Sequence, residues 1–265
     1  MTDPRPFSLS RHLRRYGIWW AVLLFVAILA GGFALGYRVG PGLSIVKAGT
    51  LVLTDLPEST SIYVDTKLRA TVKSGGEYRT RLVPGVHTII VDSEGRTPWQ
   101  DAVVIVGSEE TVKEPLLLAT RPDGAVLRAE ERARAIQAID AQRIPTIATA
   151  LTVGCTDIYV AQNRIMGRAV PGCENTPDYL CEAGDCTAPT MLLAPIETIT
   201  SLIAYPGRND TLLFTIGDFV YALDIDPRDP RFFAPFIRTS MPRVGLGEEG
   251  TLLLKDEDNA YSFTL

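Results

Sequence analysis

A mainly β fold with one apolar helix at its N-terminus is the class this sequence predicts. Three observations predict it. Residues 17–36, GIWWAVLLFVAILAGGFALG, carry no charge. From Gly49, short alternating runs rich in β-branched residues follow one another, with Gly or Pro turns every 8–12 residues or so. After a helix-forming stretch at 123–142, such runs resume at Ile144 and continue to the C-terminus. The expected architecture is a single transmembrane helix, a small β-sandwich and a β-hairpin domain with propeller-like repeats.

Taken in order, residues 1–16 read as a basic cytoplasmic tail carrying Arg5, Arg11, Arg14 and Arg15. Residues 17–38 read as the transmembrane helix. About 20 uncharged residues at 1.5 Å each span the roughly 30 Å hydrocarbon core. The arginines before the run place the N-terminus in the cytoplasm, and Trp19, Trp20 and Tyr37 suit the two interfaces. A cleaved signal peptide is the alternative, but the run exceeds the roughly 7–15 residues of such a segment and no A-x-A site follows. The lipid bilayer is thus an expected partner through residues 17–38, and the C-terminal domains are expected outside the cytoplasm at the cell membrane. Residues 39–48, with Gly40-Pro41-Gly42, form a stalk that favours neither helix nor strand.

Residues 49–119 contain TLVLTDL, SIYVDTKL, YRTRLV, VHTIIVDS, AVVIV and TVKEPLLL, separated by turn residues, which is the pattern of a small β-sandwich. Residues 120–144 are a helical linker. Val126, Ala129, Ala133, Ile136 and Ile139 or Asp140 fall at helical spacing and give a narrow apolar face. Residues 145–265 are expected to be a disulfide-braced β domain. Asn209–Leu223 and Gly250–Phe263 share one shape, a strand, a tight polar turn and an aromatic strand, and DIYVAQNRIMGR is a weaker third copy. Spacing near 40 residues suggests propeller-like blades, but only about three fit where a closed ring usually has at least four.

The part at 48–118 resembles the PEGA domain. The matching positions are Gly49-x-Leu51-x-Leu53, Pro57-Glu58, Ile62-Tyr63-Val64-Asp65, Leu82-x-Pro84-Gly85-x-His87-x-Ile89-x-Val91 and Pro98-Trp99. Two positions depart: the tetrapeptide reads Pro57-Glu58-Ser59-Thr60, and Thr66 stands where the family has glycine. The resemblance implies a prokaryotic envelope or surface protein and an adhesive or spacer module, with no catalytic residues to carry over. Residues 145–265 bear a more generic likeness to β-propellers found behind such domains.

The net charge of −5 argues against a nucleic-acid partner, since phosphate binding requires a basic patch. Cys155, Cys173, Cys181 and Cys186 form an even set in one short stretch, which in an oxidising compartment favours two disulfides. Three connectivities are open, and the close spacing of Cys181 and Cys186 suits a local bridge; free thiols and zinc are the alternatives. Only two histidines are present, and His12 precedes the apolar run while His87 falls in the P-G-x-H strand. No nucleophile, zincin or P-loop motif occurs, so no catalytic residue, metal ligand or cofactor is assigned. Asp224 and Asp226, and Asp256 and Asp258, carry oxygens that suit calcium, but Asp and Asn at strand ends are commonly turn residues.

Aromatic side chains are the remaining resource. Phe232, Phe233 and Trp99 are the binding candidates, with Phe232-Phe233 expected at the surface between Asp-Pro turns. The function expected is a non-catalytic, membrane-anchored envelope module that contacts protein or cell-wall glycan. Its alternatives are a structural subunit of an envelope assembly and an envelope hydrolase.

Overall fold

The computed structural model describes residues 9–39, 44–181 and 185–263. Gly40-Pro41-Gly42 of the expected stalk, residues 1–8 of the expected tail and Gly184 lie outside them. The chain is mainly β. Its first elements are α1 (Leu9–Ala34), β1 (Tyr37–Val39), β2 (Ile45–Lys47), β3 (Gly49–Leu56), β4 (Thr60–Val64), β5 (Lys67–Val72), β6 (Gly76–Leu82), β7 (Gly85–Ser93), β8 (Trp99–Ile105) and β9 (Glu110–Lys113). There follow β10 (Gly124–Val126), α2 (Ala129–Ala141), β11 (Leu151–Val153), β12 (Thr156–Ala161), β13 (Arg164–Ala169) and β14 (Thr190–Leu193). The last are β15 (Ile199–Ala204), β16 (Thr211–Ile216), β17 (Phe219–Asp224), β18 (Phe233–Arg238), β19 (Arg243–Leu246), β20 (Leu252–Asp256) and β21 (Asn259–Phe263). These elements form two compact units, one from residues 1–55, 77–87 and 104–114, the other from 56–76, 88–103 and 115–265.

The first unit holds α1, the β1–β2 pair and most of a three-stranded sheet in the order β6-β3-β9. Strand β9 runs parallel to β3, with Thr50 opposite Glu110 and Leu53 opposite Lys113. Leu51, Val52 and Leu53 are buried. Gly49 has a steric reason to be glycine: a Cβ there would lie 2.3 Å from the Val106 carbonyl oxygen. The His87 ring meets the Val83 carbonyl at 2.7 Å, a structural tie within this unit.

Here the transmembrane expectation is overturned. A helix forms over the apolar run, but no helix among the described residues is long and apolar enough to cross a membrane. The reason lies in where α1 stops. Leu35 and Gly36 make a turn, Gly36 with φ of 89°, and Tyr37 opens β1. The uncharged helical part is therefore 16–34, about 28.5 Å at 1.5 Å per residue, short of the roughly 30 Å core. The expected helix of 17–38 is in fact helix, turn and strand.

The second unit begins with a four-stranded sheet in the order β5-β4-β7-β8. In it Ile62 pairs with Val91 and Val64 with Ile89, and all four are buried. The β4–β5 turn is made by Asp65 and Thr66 at φ of 50° and 65°. Thr66 thus adopts the left-handed conformation that glycine takes at no steric cost and a β-branched residue takes only under strain.

Three further four-stranded antiparallel sheets complete this unit: β11-β12-β13-β14, β15-β16-β17-β18 and β10-β21-β20-β19. The hairpins β12–β13, β16–β17 and β20–β21 fall on the three repeated passages. The third sheet takes its outer strand from before α2: Gly124 of β10 pairs with Phe263 of β21. The first two sheets share a core that includes Val153, Ile158, Ile165, Leu202, Leu212, Phe214 and Leu223. Polar ties join the sheets. The Glu197 carbonyl accepts from Asn163 Nδ2 at 2.9 Å, and Asn163 Oδ1 accepts from the Ile199 N–H at 3.1 Å. The Val244 N–H donates to Ser201 Oγ at 3.0 Å.

Helix α2 lies on the third sheet. It buries Ala135 and Ile139 against Leu253 and Ala260, one turn-spaced pair rather than the face through Val126, which is exposed. Asp140 fixes the helix by ion pairs to Arg243 at 3.0 Å and Lys255 at 2.8 Å. Gly245 permits the approach, since a Cβ there would sit 2.9 Å from the Ile139 side chain.

Candidate binding face

Strands β16, β17 and β18 place a row of aromatic rings on one face of their sheet. Alternation along β17 puts Phe219 and Tyr221 on the same side. The register sets Tyr221 opposite Phe214 of β16, and Leu223 opposite Phe233 of β18. Ring centroids lie 5.8 Å apart for Phe214 and Tyr221, 5.2 Å for Tyr221 and Phe233, 6.3 Å for Phe214 and Phe233, and 5.7 Å for Phe219 and Tyr221. Such separations are those of favourable aromatic pairs. The row runs from a buried end to an open one. Phe214 is fully buried, Phe219 and Tyr221 are half-buried, and Phe233 is 46% exposed. Arg238 ends the row, its guanidinium 5.2 Å from the Phe219 ring centre.

Of the three binding candidates from the sequence, Phe233 alone offers a surface. Phe232 and Trp99 are 2% and 3% exposed. The expected Phe232-Phe233 surface pair is corrected: Phe232, Ala234 and Phe236 are buried, while Phe233, on the face that carries Phe214 and Leu223, stays 46% exposed on the outer strand of the sheet. Phe236 meets Phe263 of the third sheet at 6.4 Å. Trp99 belongs to the inward set of β8 with Asp101, Val103 and Ile105. Phe219 and Arg238 were not among the candidates. Phe219-x-Tyr221 alternation was the available signal for the first; the partner strand that brings Arg238 beside it has no local signal.

Both disulfides form, Cys155–Cys173 and Cys181–Cys186, with Cα separations of 5.8 and 4.0 Å. Between these bridges lies the short helical turn carrying Tyr179, whose hydroxyl meets Thr156 Oγ1 at 3.3 Å. Both calcium-candidate stretches are turns. The Asp226 N–H donates to Asp224 Oδ1 at 3.3 Å, and Asp226 pairs with Arg228, whose Nε lies 2.9 Å from Oδ1. Asp256 to Asn259 close the β20–β21 hairpin. No group of three His, Cys, Asp or Glu arranged to hold a metal occurs among the described residues.

Burial pushes the Tyr179 hydroxyl up from 10.0 to about 12; Asp226 and Asp224 add to the rise, against the Thr156 hydrogen bond and Arg228. A raised pKa means the folded chain holds a proton that the unfolded chain has lost between pH 10 and 12. Stability from this group is therefore complete below about pH 10 and falls as pH rises toward about 12. Urea midpoints measured across that window are expected to drop less for Tyr179→Phe than for the parent chain. Equal drops would show that Tyr179 is not held as its surroundings imply.

No protein-family model matches this chain, and no curated protein matches it.

Proposed function

We propose that this chain is a non-catalytic binding module that holds a cell-envelope glycan against the aromatic row of Phe219, Tyr221 and Phe233. The observation that carries this reading is the row itself. Sugar rings present flat C–H faces that stack on aromatic rings, and a row along one sheet offers consecutive sugars a repeated contact. Fully buried Phe214 packs against Tyr221 and Phe233, so little ordering is needed on binding. Two disulfides suit an oxidising setting outside the cytoplasm. The PEGA-like pattern of residues 48–118 supports an adhesive or spacer role for the part preceding the row.

The test is retention of the full chain on wall polysaccharide and on the membrane-protein fraction of an envelope extract. Retention on polysaccharide is expected, weakened about tenfold by Phe233→Ala, a loss in keeping with one stacking contact. An unchanged circular dichroism spectrum would show that the half-exposed ring was not needed for folding. Stoichiometric recovery of one protein, with none of the chain on polysaccharide, would replace this reading with that of an assembly subunit.

A further inference from the structure

Three arginines of the second unit lie over aromatic rings. Arg168 sits 5.9 Å from the Tyr159 ring centre, Arg228 5.9 Å from Tyr179 and Arg238 5.2 Å from Phe219. The first two are already matched with acids. Arg168 pairs with Asp157 at 3.1 Å, and Arg228 places Nε 2.9 and 3.1 Å from the two Asp226 oxygens. Arg238 differs. It is exposed and makes no ion pair with a described residue. Asp256 lines the same cleft of about 290 Å³, together with Thr239 and Tyr261, but its Oδ1 is buried and accepts no hydrogen bond from a described residue.

A guanidinium held over a ring keeps its N–H edge free, and that edge matches a carboxylate with two parallel hydrogen bonds. Phe219, Tyr221 and Phe233 supply faces for sugar rings, and Arg238 supplies the end of the row with one fixed cation. We infer that the row selects a glycan bearing carboxylates, a polyuronate, and that Arg238 clamps the carboxylate while the rings stack on the sugars. This inference rests on the glycan reading above and adds the charge of the ligand to it.

The experiment measures binding of the full chain, at about 0.1 M salt so that long-range attraction is screened, to polygalacturonate, to its methyl ester and to dextran. The acid form is expected to bind at least about tenfold more tightly than the ester, since the ester keeps the rings and loses the charge. Arg238→Gln is expected to bring the acid down to the level of the ester. Arg238→Lys is expected to recover only part of the preference, because an ammonium lacks the fork. Equal binding of acid and ester by the parent chain would overturn the inference and leave the glycan reading standing, as would a preference for acid that persists in Arg238→Gln. Binding of none of the three would overturn both.

Discussion

Phe214→Ala is expected to destabilise the second unit by about 4 kcal/mol. Phe214 is fully buried in the core shared by the sheets β11–β14 and β15–β18, in a cluster with Leu202, Leu212 and Leu223. Truncation removes the transfer free energy of a whole ring and leaves a cavity that two sheets tied by Asn163 are poorly placed to close. Phe214→Leu keeps most of the volume and is expected to cost under about 1.5 kcal/mol. Trp99 reports the transition, since it is buried in the same unit while Trp19 and Trp20 are exposed. The readout is the urea midpoint at unchanged slope. The ring also packs against Tyr221 and Phe233. Phe214→Leu, still folded, is therefore expected to weaken polysaccharide retention although it touches no ligand. A loss of stability below about 1 kcal/mol for Phe214→Ala would mean that this core is not where the two sheets meet.

What was legible in the sequence was what neighbours along the chain decide. The β16–β17 and β20–β21 hairpins could be marked because alternation and turn chemistry are local. Gly217 at φ of 54° and Glu257 at φ of 51° sit in those turns. The helix at 129–141 was legible for the same reason, through its run of good helix formers. The pairing of β10 with β21 was not, because strands from opposite ends of a domain carry no common mark. Nor was the burial of Phe232. Adjacent aromatics face opposite ways, and only the packing of the neighbouring sheets, with β18 as the outer strand, decides which of them is covered. The end of α1 shows another limit: an uninterrupted apolar run says how long a helix can be, while Gly36 and the β1–β2 pairing decide where it stops. Arg238 became a candidate only when β18 set it beside Phe219.

Removing the Cys155–Cys173 bridge, by paired substitution to alanine, is expected to cost the second unit about 3 kcal/mol. The bridge spans a separation of 18 residues and encloses the β12–β13 hairpin. Closing a loop of that length in the unfolded chain removes entropy equivalent to about 3 kcal/mol at room temperature, while the separation of 5 residues at Cys181–Cys186 gives about 2. The order of effects is therefore fixed, with the long bridge above the short one, and urea melts of the two double-alanine chains check it. Both losses are a substantial share of the 5–15 kcal/mol or so that folded domains possess. A chain that depends on them is poorly suited to a reducing compartment, which ties the proposed setting outside the cytoplasm to the energetics of one hairpin. Two double-alanine chains as stable as the parent would break that tie.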